Sequence, residues 1–217
     1  RLRSGAGRPL RRGRGGEGRG GDAAWMARLG PGLVVASDEA LPPQQALDLP
    51  RLAARGCSVL RLSAHTLADV LDNLLLVGEA AGEAEAAREV VAELRGRLRR
   101  VACAAANRLP PPLPRPRVLI LQGLSPLVSA GRWASEMEQI AGGEGALGEA
   151  GEAPAIISWD KVRGCRPDVL VLAPLGRTEQ ETLGEVHVLA AMPGWWGLPA
   201  VKEGKVFIAP PSLLTRP

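Results

Sequence analysis

Apolar positions fall into two alternating patterns along this chain, short continuous runs and helical stripes. Leu33-Val34-Val35-Ala36-Ser37 and Cys57-Ser58-Val59-Leu60-Arg61-Leu62 read as buried strands. The segment between them holds a polar, Pro-containing loop, SDEALPPQQ, and a helical stretch, LDLPRLAARG, closed by Gly56. AAWMARLG, ahead of the first strand, predicts a short helix stopped by Gly30-Pro31-Gly32. The order helix, strand, helix, strand is the rhythm of an α/β sheet with crossovers.

A long helical stretch follows. Thr66-Leu67-Ala68-Asp69 has the form of a capping box with Asp in the place of Glu. Leu67, Val70, Leu71, Leu74 and Val77 then recur at helical spacing, interrupted by Gly78 and Gly82. From residue 83 a second helix is predicted to about 106, with Val90, Val91, Leu94, Leu98 and Val101 on its apolar side. Its acidic residues come first and its arginines later, the order that suits the helix dipole. At about 1.5 Å per residue it makes a rod of roughly 36 Å. Its charges read as a solvated face.

LPPPLPRPR, residues 109–117, is a stiff extended connector. The α/β rhythm then resumes. Val118-Leu119-Ile120-Leu121 and Val169-Leu170-Val171-Leu172-Ala173 are strands, and Val206-Phe207-Ile208-Ala209 is a last one. ASEMEQIAGG and TEQETLGEVHVLA are helices, and GEGALGEAGEAP is a flexible acidic insertion. Ile156-Ile157-Ser158-Trp159 is a short strand or turn ahead of a short helix. Trp133 follows Gly131-Arg132 in a loop, just as a helix begins.

Composition changes this picture in one place. The chain has 217 residues, 46% of them hydrophobic, enough for one large domain or two lobes. The formal charge is +4, but residues 1–20 carry seven Arg against one Glu. Subtracting that +6 leaves the remainder near −2. The basic character therefore belongs to residues 1–21, a low-complexity Arg/Gly stretch read as disordered. It has no aromatic residue to stack on bases, so nucleic-acid binding is the weaker reading of it.

Three cysteines, Cys57, Cys103 and Cys165, match no CxxC or zinc spacing. Cys57 and Cys103 sit in apolar settings and read as packed small hydrophobes. His65 and His187 are too few for a metal site. No GxSxG, HExxH, P-loop or dinucleotide fingerprint occurs, so no catalytic residue and no enzyme is predicted. No apolar run of about 18 residues exists to span a membrane, and no signal peptide is visible.

Four segments in this order, the long joining helix, GRWASEMEQIAGG, SWDKVRGCRPDVLVLAP and LPAVKEGKVFIAPPSLLTRP, resemble the iron-siderophore and vitamin B12 periplasmic-binding family. Its cobalamin-binding branch is the nearest match, and the resemblance spans about residues 24–217. It implies an α/β fold of two three-layer lobes bridged by a long helix. The corresponding division is a tail 1–21, a partial N-terminal lobe 22–82, a bridging helix 83–108, a Pro-rich connector 109–117 and a C-terminal lobe 118–217. Set against that family, the chain is short of a first strand and of a last helix.

The resemblance implies binding without chemistry, of a cobalamin or related metal chelate with no covalent cofactor. An iron-siderophore or haem is the alternative ligand, and an RNA-associated role for the tail is the alternative function. It also implies an extracytoplasmic location and a membrane transporter permease as partner. Ligands of open α/β sheets meet the loops at the carboxyl ends of strands. Those loops supply the candidate ligand contacts: Asp38; Ser125 and Leu127; Arg132 and Trp133; Gly176; Ser212 and Leu214. An indole at the cleft rim packs on a wide, flat ring, and Arg132 meets its acidic groups. Trp195 and Trp196 read as packing residues, and Trp25 and Trp159 as core.

Overall fold

The computed structural model describes residues 30–37, 50, 53, 54, 56–110 and 112–215. The Arg/Gly stretch, Trp25 and Asp38 lie outside the described residues. The chain divides into two compact units, Arg1–Arg61 and Leu62–Pro217. In the first, β1 (Leu33–Ser37) and β2 (Ser58–Leu62) pair in a two-stranded sheet.

The second unit opens with α1 (Leu67–Ala81) and α2 (Ala84–Arg108). Thr66 and Asp69 form the capping box that the sequence predicts, side chain to backbone in both directions. These hydrogen bonds from His65 and Thr66 hold the Asp69 carboxyl below its ordinary range. Glu136 adds a further cap from elsewhere in the unit, its Oε2 accepting from Leu67 N at 2.6 Å. Gly82 ends α1 in the left-handed region, at φ +78°. Gly78 is needed for a different reason, since a Cβ there would stand 2.2 Å from the Ala87 Cβ. The two helices approach through that gap.

The central sheet has the order β6-β4-β3-β7-β8, with β5 pairing β3. β3 is Arg117–Leu124, β4 Leu127–Ser129, β5 Glu144–Gly145, β6 Ala155–Ile156, β7 Val169–Leu172 and β8 Val206–Ile208. β3, β7 and β8 run parallel, and β4 returns antiparallel against β3. Alternate residues of each strand point to opposite faces. Leu119, Leu121, Leu170 and Leu172 are fully buried on one face. They pack with Val162 and Cys165 of α4 (Trp159–Cys165), Leu189 of α5 (Glu179–Ala190), Trp195 and Ala200. Each such leucine contributes about 1.5–3 kcal/mol of burial. On the other face Ile120, Val118 and Val171 meet Ala134 of α3 (Trp133–Ile140) and Leu214 of α7 (Ser212–Thr215). A short helix, α6 (Pro199–Lys202), precedes β8. The result is a three-layer α/β unit.

Several sequence expectations change here. Cys103 is exposed and Cys57 buried. Nine positions on from Leu94, Cys103 falls on the side of α2 opposite the Leu94-Leu98-Val101 stripe. The acidic stretch after α3 is not a free loop but is anchored to the sheet by β5 and β6. Gly148 lies so close to it that a Cβ would stand 2.5 Å from the Ala130 carbonyl oxygen. Trp159 is half-buried, stacks on buried Trp195 at 6.2 Å between ring centroids, and donates its indole N–H to Pro193 O at 2.8 Å. Trp196 is exposed.

Candidate functional site

The apolar run of β3 predicts a strand ending near Leu121, but pairing continues to Leu124. Leu121 stands opposite Ser129 and Gly123 opposite Val128, so Gln122 is an extra residue on β3. Such a bulge bends the strand and re-aims its side chain. The chain then turns through the cis Ser125–Pro126 bond and returns as β4. Gly123 has room for nothing more. A Cβ there would lie 2.9 Å from Pro126 O and from Val128 Cγ2.

The neighbouring strand β7 ends beside this turn. Ala173 N donates to Leu121 O and Leu175 N to Gln122 O, both at 2.9 Å, which fixes the 173–177 loop against the bulge. Gly176 takes φ +75° at its tip. Thr178 then caps α5 in a second capping box with Glu181, whose carboxyl those hydrogen bonds hold below its ordinary range.

Between the two loops lies a pocket of about 540 Å³ lined by Gln122, Leu124, Ser125, Leu175, Arg177 and Val188, among others. Its position is that of a ligand site in an open α/β sheet, outside the carboxyl ends of adjacent parallel strands. Its walls combine apolar surface from Leu124, Leu175 and Val188 with a few polar groups, the composition of small-molecule sites. Arg177 Nη2 pairs with Glu185 Oε1 at 3.1 Å, so the charges at its rim offset one another. Gln122 Oε1 is buried without a hydrogen-bond partner.

The sequence-predicted residues divide around this pocket. Ser125 lines it and Gly176 is at the tip of its second loop. Leu127 is 7% exposed and belongs to the core. Arg132 and Trp133 sit elsewhere, because β4 carries the chain away from the Ser125 turn. Ala130 N already bonds to Ile120 O, four residues back from the end of β3. Arg132 takes φ +57° ahead of α3 and bridges to Ala150. Trp133 is the first residue of α3, half-buried, and its indole N–H donates to Leu214 O at 2.6 Å. Leu214 is buried under the sheet beside it, while Ser212 is exposed after β8. Gln122, Glu185 and Val188 were not among the sequence candidates. The one signal for Gln122 was its place straight after an apolar run, where a strand stops being core.

Other concavities occur among the described residues of this unit. One of about 420 Å³ is lined by Arg115, Ser135, Gln139 and Glu149, among others. An apolar groove of about 330 Å³ runs along α1, α2 and α3. Neither lies at the carboxyl ends of β3 and β7. His65 and His187 make local hydrogen bonds, to Ser63 and to the Gly184 carbonyl. No cluster of three metal-ligating side chains occurs among the described residues.

A family model for periplasmic binding proteins matches residues 18–213. The chain belongs to the periplasmic binding protein family. Solved members and relatives of this fold superpose well. The periplasmic heme-binding protein BhuT, solved with two hemes, gives a TM-score of 0.72 at 23% identity, over 89% of this chain and 71% of that one. A periplasmic heme-binding protein from Pseudomonas aeruginosa gives 0.70 at 25% identity, over 89% and 68%. The periplasmic vitamin B12 binding protein BtuF of Vibrio cholerae gives 0.67 at 20% identity, over 88% and 70%. Among curated protein sequences no match is found. The periplasmic-binding fold expected from the sequence is thus the fold of the chain. No helix among the described residues is long and apolar enough to cross a membrane.

Proposed function

We propose that this periplasmic binding protein captures a metal chelate, a corrinoid first and a haem or ferric siderophore as alternatives, without catalysing a reaction on it. The observation that carries the reading is the pocket at the carboxyl ends of β3 and β7, in a fold whose neighbours are heme- and vitamin B12-binding proteins. Its apolar walls suit the edge of a wide ring. Its volume is small enough that it takes an edge of such a ligand and not the whole. Ser125 and the Gly176 loop supply contacts from opposite sides.

A binding role without catalysis is the reading we attach to this pocket, whose polar side chains are the Gln122 amide, the Ser125 hydroxyl and the Arg177–Glu185 ion pair. The proposed setting is extracytoplasmic, with the chelate passed on to a membrane transporter permease.

The test is a tryptophan-fluorescence titration with cyanocobalamin, hemin and a ferric hydroxamate, corrected for light absorbed by the ligand. Saturable quenching by at least one chelate is the predicted result. Flat titrations with all three, on a chain shown to be folded by circular dichroism, would refute the proposal.

A further inference from the structure

We infer that the groove along α1, α2 and α3 is a second ligand site, and that it takes a small amphipathic anion, an aliphatic chain ending in a carboxylate. This goes beyond the chelate reading and does not rest on it, since the groove and the chelate pocket share no lining residue.

The groove lies where α3 meets the pair of helices α1 and α2. Its walls are Leu67 and Val70 of α1, Leu94 and Leu98 of α2, and Met137 and Ile140 of α3, among others. Leu67 is buried, while Val101 and Leu213 line the groove and remain exposed. The apolar stripe of α2 is therefore only partly covered, with Val91 its one fully buried position. Apolar surface gathered in a concavity, rather than scattered singly, marks a place where something binds. The volume of about 330 Å³ falls at the lower end for small-molecule sites, which begin near ~300 Å³. It suits a flexible chain better than a partner helix. Met137 adds an adaptable wall that follows the shape of such a chain.

Charge decides the class of ligand. Arg97 is the one charged residue among the described residues that line the groove, and it is exposed. Its neighbours on α2 are engaged, Arg88 with Glu85 at 2.7 Å and Arg95 with Asp72 at 4.0 Å. Glu136 of α3 is also engaged, by Leu67 N at 2.6 Å. Arg97 forms no ion pair among the described residues. A guanidinium beside an apolar wall complements a carboxylate whose chain lies along that wall. The same charge disfavours a second copy of this chain as the occupant. A two-fold contact sets one patch against itself, so Arg97 and the adjoining Arg99 and Arg100 would face their own counterparts.

The two parts of such a ligand contribute separately. Each methylene laid on the apolar wall is worth roughly fourfold in affinity. An ion pair with an exposed guanidinium is worth up to about fivefold.

The experiment is isothermal titration of the full chain with octanoate, decanoate and decyltrimethylammonium, each kept below the concentration at which it forms micelles. Wild type, Arg97→Gln and Val101→Glu are compared. Decanoate should bind one to one, tighter than octanoate by roughly fourfold per methylene. Decyltrimethylammonium should bind roughly tenfold more weakly than decanoate. Arg97→Gln should weaken decanoate about fivefold and narrow its lead over the cation. Val101→Glu sets a carboxylate on the wall and should weaken decanoate further. Both substituted residues are exposed, and if one variant fails to fold by circular dichroism the other carries the test. No saturable binding of decanoate, equal binding of the anion and the cation, or decanoate affinity unchanged in the folded variants would overturn the inference. So would a dimer in sedimentation that excludes decanoate, which would make the groove a contact between copies. Cyanocobalamin and hemin titrations should be the same in wild type and Arg97→Gln, so failure here leaves the chelate reading standing, and failure of the chelates leaves this site standing.

Discussion

Glu138 should make this protein less stable as pH rises through neutrality. It sits in α3, 6% exposed, against the β5 backbone. Its Oε2 has no hydrogen-bond partner, and a Cβ on Gly145 would lie 2.8 Å from that oxygen. Burial pushes its carboxyl from the ordinary 4.5 up to about 7. The proton is therefore held more tightly in the folded state than in the unfolded one. Between about pH 4.5 and 7 the folded state binds more protons, so stability falls with rising pH across that window. The loss is complete above about pH 8 and absent below about pH 4. At 1.36 kcal/mol for each pH unit it reaches about 3 kcal/mol. Glu138→Gln keeps the shape and removes the charge. Urea unfolding followed by far-ultraviolet circular dichroism at pH 5, 6, 7 and 8 would measure both proteins. The two should agree near pH 4.5 and diverge by up to about 3 kcal/mol at pH 8, with the variant more stable. Asp69 and Glu181, whose carboxyls are held below their ordinary values, act in a more acidic window and do not blur the comparison. Parallel pH profiles for the two proteins would refute the reasoning.

Other substitutions test separate parts of the account. Thr66→Ala and Thr178→Ala each remove the side-chain acceptor of a capping box, and each should cost about 1 kcal/mol in urea unfolding. Trp133→Phe loses the indole bond to Leu214 O and should cost about 1 kcal/mol, with chelate affinity from titration little changed. Gly131→Ala would place a Cβ 2.5 Å from Glu152 O, so a thermal melt should show a loss of about 1–3 kcal/mol.

What the sequence discloses, and what it hides, follows the range of the forces involved. The capping box at Thr66, the Gly82 stop and the helix from Ala84 are local events, decided within a few residues, and all three are legible. The fully buried β7 leucines announce a strand by their run of apolar side chains. The hairpin after Leu121 is not legible that way. Its return strand is only Leu127–Ser129, too short to show a period of two. Missing it places Trp133 on a loop at the sheet end, whereas the return strand carries that residue back to the helix layer, where Leu214, 81 residues on, accepts its indole N–H. Cys103 fails for a related reason. Its sequence neighbours are apolar, but helical rotation turns it away from them. The pocket residues Gln122, Glu185 and Val188 come from a bulge and a helix that tertiary pairing brings together, and single-sequence patterns do not record that. The family resemblance supplied the fold where the periodicities alone could not.

The central claim is that a chelate binds at the carboxyl ends of β3 and β7. Leu175 lies on that pocket's wall and is 52% exposed, so a charge there leaves the core untouched. The most direct measurement is isothermal titration of the chelate that binds best, against the wild-type chain and Leu175→Glu. A one-to-one complex weakened at least about tenfold by the substitution, with the unfolding midpoint unchanged, is the predicted result. A complex of equal affinity in both proteins would place the ligand elsewhere and contradict the account.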